Sequence, residues 1–203
     1  MIFEEFNPKI HNVHQVADFI FEIDLRVLKK LFSSKQEAVS AIEDKLLVKY
    51  PHVDDYSKFY VIYKKEDPSK ILAILLISKG KNHNYFNDSI FLFKKLKFMH
   101  AFHFSEQNII DKFTLSNIDN SDFYIAEIAT NNAERCQGVG RAVVNYAIDQ
   151  AKKQGFRRVV IDVDFKNSIA RKLYESLGFK VYDTKSFKFA GYEKKMYNME
   201  YVI

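Results

Sequence analysis

Seven consecutive apolar residues, ILAILLI at Ile71–Ile77, limit the possible folds of this chain more than any other stretch. A transmembrane helix needs about 20 such residues, so the run is far too short to cross a bilayer and reads as a buried strand. The segment before it, KFYVIYK at Lys58–Lys64, also has strand character. Glu66-Asp67-Pro68-Ser69 lies between the two as a turn, which makes a β-hairpin.

Helical spacing comes before this hairpin. Apolar residues fall at Val13, Val16, Ala17, Ile20, Phe21, Leu28, Leu31 and Phe32, with a break expected near Asp24. A second helix is expected over Lys35–Val48, with Ser34 as its cap and Glu37 three residues on, a capping-box arrangement. After the hairpin, Gly80–Asn87 reads as a loop, Ser89–Phe104 as a helix and Asn108–Leu115 as a shorter one. The pattern then alternates: strand Phe123–Thr130, helix Gly138–Gln154, strand Arg158–Val163 and helix Ser168–Leu177, with Gly178 just past its end. Short strands at Phe179–Asp183 and Met196–Val202 close the chain. This order predicts one mixed α/β sheet with helices on both faces. The 203 residues are enough for one core and make no strong case for two domains, so 1–203 is read as a single domain.

Composition narrows the functional classes. A 47% hydrophobic and 28% charged chain is that of a soluble globular protein. Its net charge of +5 suits an anionic ligand, but the lysines come in scattered pairs such as Lys64-Lys65 and Lys152-Lys153. No nucleic-acid arm follows from that pattern. The N-terminus lacks a basic segment followed by an apolar core, and Cys136 is the only cysteine. Neither a secretory signal nor a membrane anchor is expected, and a cytoplasmic location fits.

The chemistry is expected at RCQGVGRA, Arg135–Ala142, at the mouth of a helix. A helix N-terminus carries unpaired N–H groups and partial positive charge, and glycines there let several amides point at one anion. The bland alternative is a tight strand-to-helix connection. A phosphate P-loop fails, because Arg141 and Ala142 stand where Lys and Ser/Thr are needed. A dinucleotide fingerprint fits Gly138 and Gly140 but meets Val143 at its third place. Asp162 and Asp164 lie about 20 residues on, which keeps a nucleotide-binding oxidoreductase as a minor reading.

Arg135-x-x-Gly138-x-Gly140 resembles the R/Q-x-x-G-x-G/A motif of the GNAT superfamily, the acetyl-CoA-dependent N-acyltransferases. Ile128-Ala129-Thr130 resembles the end of that family's fourth strand. IDVDFKNSIARKLYESLGF, Ile161–Phe179, is similar to its fifth strand, asparagine and following tyrosine-bearing helix. The resemblance covers Phe123–Phe179 and implies a GNAT fold with a helical insertion between the third and fourth strands. It implies acetyl-CoA as co-substrate and transfer to a primary amine of a small molecule or a peptide. In the resembling family the amides of Gln137, Gly138, Val139, Gly140 and Arg141, with Arg135, take the pyrophosphate. The backbone of Ile128 and Thr130 pairs with the pantetheine arm, and Asn167 hydrogen-bonds further along it. Tyr174 protonates the leaving thiolate. Read from the residues alone, Asn167 is equally a helix N-cap and Tyr174 a half-buried aromatic. A non-catalytic CoA-binding module stays open as an alternative. Dimers are common in the family, so a homodimer is also open.

The base and acceptor are less legible. Glu127 and Asp162 are the candidate bases, and either could instead be an ordinary paired strand carboxylate. Aromatics such as Phe86, Phe93, Phe98, Phe102 and Phe104 could line an acceptor pocket or build core, with core favoured. His100, His103 and Glu106 have a spacing compatible with a metal but lack further ligands, so no metal site is expected.

Overall fold

The computed structural model describes residues 1–48, 57–79, 85–131, 137–189 and 192–203. Its centre is a seven-stranded sheet in the order β1-β2-β3-β4-β5-β7-β6. The strands are β1 (Ile2–Glu5), β2 (Ser57–Lys64), β3 (Asp67–Lys79), β4 (Asp122–Thr130), β5 (Arg158–Asp164), β6 (Lys180–Phe189) and β7 (Tyr192–Val202). Only β4 and β5 run parallel. All other neighbours are antiparallel. A doubly wound dinucleotide fold needs a mostly parallel sheet, so this topology overturns the oxidoreductase reading of Gly138 and Gly140.

The N-terminal helices are α1 (Val13–Ile23), α2 (Leu25–Leu31) and α3 (Lys35–Leu47). The break between α1 and α2 falls at Asp24, as the pattern predicts. Ser34 caps α3 by accepting from the Glu37 amide at 3.1 Å. The Glu37 carboxylate reaches back one residue further than a capping box requires, to the amide of Ser33 at 3.0 Å. Between β3 and β4 lie α4 (Tyr85–Lys95) and α5 (Phe98–Thr114). The helical pair differs from the expected one in its joint, which falls at Leu96–Lys97 and leaves α5 continuous from Phe98 through the polar Ser105–Asn108. Helices α6 (Val139–Lys153) and α7 (Ser168–Ser176) flank β5 in the chain. Among the described residues no helix is long and apolar enough to cross a membrane.

Two faces of the sheet are covered by different helices. Val143, Val144, Ala147 and Ile148 of α6 pack with Phe123, Ile125, Ile161 and Val163 on one face. Val16 and Phe19 of α1 pack on Val61, Ile71 and Ile74 on the other. A third cluster joins α1–α3 to α4 and α5 through Leu28, Ile42, Leu92 and Phe104. Of the aromatics expected to line a pocket or build core, Phe104 is buried while Phe86, Phe93, Phe98 and Phe102 are exposed.

Three details escaped the sequence patterns. β1 is only four residues long, too short to show a period. The β2–β3 turn is at Lys65–Glu66, and Pro68 sits in an irregular stretch of β3, where Lys64 pairs with Asp67 but Tyr63 already pairs with Ile71. A residue without an N–H is tolerated in such a bulge. The last hairpin runs from Lys180 to Val202, far beyond its apolar ends. Its polar middle is an edge, where lysines such as Lys185 and Lys188 are at home.

Candidate active site

β4 and β5 pair only over Asp122–Ile125 with Arg158–Ile161. Beyond that point β4 stays with β3 as far as Thr130. β5 stays with β7 as far as Asp164. The sheet therefore forks. Among the described residues, the side of Ala126–Thr130 that faces β5 has no strand partner, so its backbone groups can pair with an extended guest. Behind the fork the sheet is pinned by a bidentate ion pair, with Arg158 Nε and a terminal guanidinium nitrogen 2.6 and 2.8 Å from the Asp122 carboxylate.

A bulge shapes the same strand. Leu76 pairs with Glu127 and Ile77 with Ile125, so Ala126 is an extra residue. Strict alternation from Ile125 would turn Glu127 toward α6. The extra residue reverses the phase. Ile128 now packs with the α6 core. Ala129 packs with the α1 core. Glu127 shares the α1 side with Ala129, while Ile128 and Thr130 face α6, the mutual alternation expected from the sequence.

The fork opens into a cleft of about 1590 Å³ that reaches from Gly138–Arg141 to Asp24, Asp111 and Lys194. At one end, α6 begins at Gly138, whose φ of 79° is left-handed. The first helical bond there is Ala142 N–H to Gly138 O at 3.0 Å. The amides of Val139, Gly140 and Arg141 precede it and have no partner within the helix. The two glycines do different jobs. A Cβ at Gly138 would meet nothing within 4 Å, so its need is conformational. A Cβ at Gly140 would lie 3.3 Å from Leu173 Cδ2 and 3.7 Å from Thr130 Cγ2, so its need is close packing. Gly138→Ala is expected to cost about 1–2 kcal/mol, the penalty of a side chain in the left-handed region. Gly140→Ala should cost less, because a leucine methyl can give way. Denaturant melts of the two variants check the order. Arg135 and Cys136 lie outside the described residues.

On the α6 face, Tyr174 of α7 is 5% exposed and its ring lies 5.9 Å from that of Phe179. Burial pushes its phenol well above the ordinary tyrosine range, so it stays protonated. Asn167 caps α7, its side-chain oxygen accepting from the Ala170 amide at 3.1 Å. The carboxamide NH₂ is a separate donor, and Asn167 lines the same cleft. Arg141 donates to Ser176 Oγ at 2.7 Å, tying α6 to α7.

On the α1 face, burial pushes the Glu127 carboxyl up to about 7, against the pull of the Lys45 ammonium and with added repulsion from Asp24 and Asp111. Asp24 and Asp111 flank the buried Lys194, whose Nζ is 3.8 and 2.8 Å from them. Gln107 donates to Asp24 at 2.5 Å. Of this group only Asp24 stood out in the sequence, as a helix break, and no spacing links residues 24, 107, 111 and 194. Of the described residues between 85 and 122, Asp88, Gln107, Asn108 and Asp111 line the cleft, and no phenylalanine among them does. Asp162, the other candidate base, accepts four hydrogen bonds, from Ser116 N–H and Oγ, Tyr124 Oη and Asn198 Nδ2. Those donors fill the roughly four acceptor positions of a carboxylate, which leaves none for a substrate proton. His103 and Glu106 contact each other at 3.2 Å, and His100 lies 3.3 Å from Asp44.

A forked sheet, with an extended guest's slot running to an amide-lined helix start, defines an acyl-transferase type of fold. The sequence profile of the Acetyltransferase (GNAT) family matches residues 28–179, and the chain belongs to that family. A 73-residue stretch is 36% identical to the [ribosomal protein bS18]-alanine N-acetyltransferase of Escherichia coli K12, covering 36% of this chain and 43% of that protein. A 65-residue stretch is 32% identical to GCN5-related N-acetyltransferase 6, chloroplastic, of Arabidopsis thaliana, covering 32% of this chain and 23% of that one. The matches thus span less than half of either relative's length. Among solved structures, a ribosomal-protein-alanine N-acetyltransferase from Brucella melitensis is similar in fold, with a TM-score of 0.58 at 9% identity over 100% of both chains. A Bacillus subtilis acetyltransferase in complex with CoA has a TM-score of 0.55 at 14% identity over 99% of this chain and 97% of that one. The family uses acetyl-CoA.

Proposed function

We propose that the chain is an N-acetyltransferase that passes the acetyl group of acetyl-CoA directly to a primary amine. One observation carries the reading: the β4–β5 fork joins amides at the start of α6 that have no partner within the helix to a protonated tyrosine on one face and a high-pKa carboxyl on the other. Strands from both ends of the sequence meet in one sheet, which supports taking 1–203 as one catalytic unit.

In this reading the amides of Gln137, Gly138, Val139, Gly140 and Arg141, with Arg135, take the pyrophosphate. The unpaired edge of Ile128 and Thr130 takes the pantetheine arm as an added strand, and the Asn167 NH₂ holds it further along. Acetyl-CoA supplies the thioester, an acyl carbon with a thiolate leaving group. Tyr174 holds a proton at Oη on the α6 side, where a thiolate would need one. Glu127, on the α1 side, takes the proton that an attacking ammonium must lose. Asp24, Asp111 and Glu127 line that end together with Lys45 and Lys194, a wall of mixed charge that offers carboxylate acceptors to an amine.

The relatives' names make an alanine-terminated peptide the first acceptor to try. The test is release of free thiol from acetyl-CoA with that peptide and a panel of small primary amines. Amine-dependent release well above buffer is expected. Tight acetyl-CoA binding with no release for any amine would overturn catalysis in favour of a binding module.

A further inference from the structure

Asp162 is the first residue of β5 beyond its last pairing with β4, which is Ile161 with Ile125. It stands at the apex of the fork. Its four donors come from three separate parts of the chain: Ser116 just after α5, Tyr124 on β4 and Asn198 on β7. Asn198 is fully buried and also donates to Thr114 O, the last residue of α5, at 3.3 Å. Lys185 of β6 donates to Leu115 O at 2.7 Å, beside the same helix end. Ile161 and Val163 pack with the α6 core, so Asp162 between them points to the opposite face. That is the face of Glu127, and the wall there is α5, which contributes Gln107 and Asp111 to the cleft.

We infer that Asp162 is a positioning residue: its carboxylate locks β4, β5, β7 and the end of α5 together at the apex of the fork, and so fixes the acceptor wall without exchanging a proton itself. Two of the four bonds come from the single residue Ser116, which pins the α5–β4 connection in both backbone and side chain. Tyr124 stops the fork from running back toward Asp122. An asparagine amide is a poor replacement for this carboxylate, because its NH₂ would face Ser116 N–H on one side or Asn198 Nδ2 on the other, both donors only. The catalytic consequence rests on the acetyl-transfer reading above, whereas the structural content does not.

The test uses Asp162→Asn with CoA bound. Exchange of the Ser116 amide and its neighbours at 115–118 is expected to speed up at least tenfold. Exchange at the start of α6 and the CoA dissociation constant should change by less than threefold. With the alanine-terminated peptide, KM should rise at least fivefold, kcat should fall by less than threefold, and the acidic limb of the pH profile should stay in place. Unchanged exchange at Ser116 would overturn the inference. So would a kcat loss of 100-fold with the acidic limb gone, which would make Asp162 the base. Should Asp162→Asn not fold, Tyr124→Phe and Ser116→Ala each remove one side-chain donor. They should accelerate the same amides by a smaller factor, and their double variant should fall short of the product of the two. No acceleration in either would equally overturn it. If wild type does not turn the peptide over, the acceptor choice fails, and the exchange result alone decides the inference.

Discussion

Glu127→Gln is expected to slow acetyl transfer by 100-fold or more while stabilising the fold above neutral pH. The rate effect follows from proton bookkeeping. A primary ammonium has a pKa of about 8 at a peptide N-terminus and about 10 on an alkyl chain, so the attacking nitrogen needs a base, and a positioned base is worth about 10²–10⁴. Activity in the wild type should rise with pH through about 7, where the Glu127 carboxyl ionises. That limb should be absent from the variant. The stability effect has its own sign. The carboxyl titrates near 4.5 when unfolded and at about 7 when folded. Between those values the native state holds a proton that the unfolded chain has lost, so stability falls as pH rises through this window. Above it the ionised, poorly solvated carboxylate costs up to roughly 3 kcal/mol, and glutamine removes that cost. Denaturant melts at pH 5 and pH 8 should show the variant gaining only at the higher pH. Equal gains, or none at pH 8, would count against burial as the cause.

Tyr174→Phe should separate binding from chemistry. The ring packs against Phe179 and its position in the core does not depend on the hydroxyl. Fold stability and CoA affinity should therefore stay within about twofold of wild type. Turnover should fall by about 10²–10⁴, the usual worth of a positioned acid. The phenol's raised pKa means it is the proton donor at all working pH, so the loss should be the same at pH 6 and pH 9. A variant that turns over at the wild-type rate would leave Tyr174 as core packing, the plain reading of a buried aromatic.

The local features were legible wherever a short-range rule applies. Ser34 and Glu37 mark the start of α3 by capping. Gly178, with φ of 98°, ends α7 as its place past the helix suggests. Gly138 sits in the left-handed region at the mouth of α6. The motif of Arg135, Gly138 and Gly140 pointed to the family. It did not reveal that Gly140 is needed for its close approach to Leu173, because that neighbour is 33 residues away in the chain. The long polar hairpin β6–β7 outruns its two expected strands, since an exposed edge has no apolar period to follow.

By itself the sequence determined most of the elements after β1, their order and the glycine-bearing helix start, because periodicity, capping and glycine conformation act within a few residues of the chain. Only the tertiary structure decided the fork and the sides of its walls. The extra residue Ala126 reverses the phase of β4 and sends Glu127 to the α1 face, and a bulge depends on strand partners rather than on local composition. The same holds for Asp24, Asp111 and Lys194, which meet across the cleft from three distant elements. It holds as well for Asp162, where hydrogen bonds from Ser116, Tyr124 and Asn198 turn a plausible base into a satisfied anchor. A carboxylate's chemistry is set by the donors and charges around it, and those are brought together by packing alone.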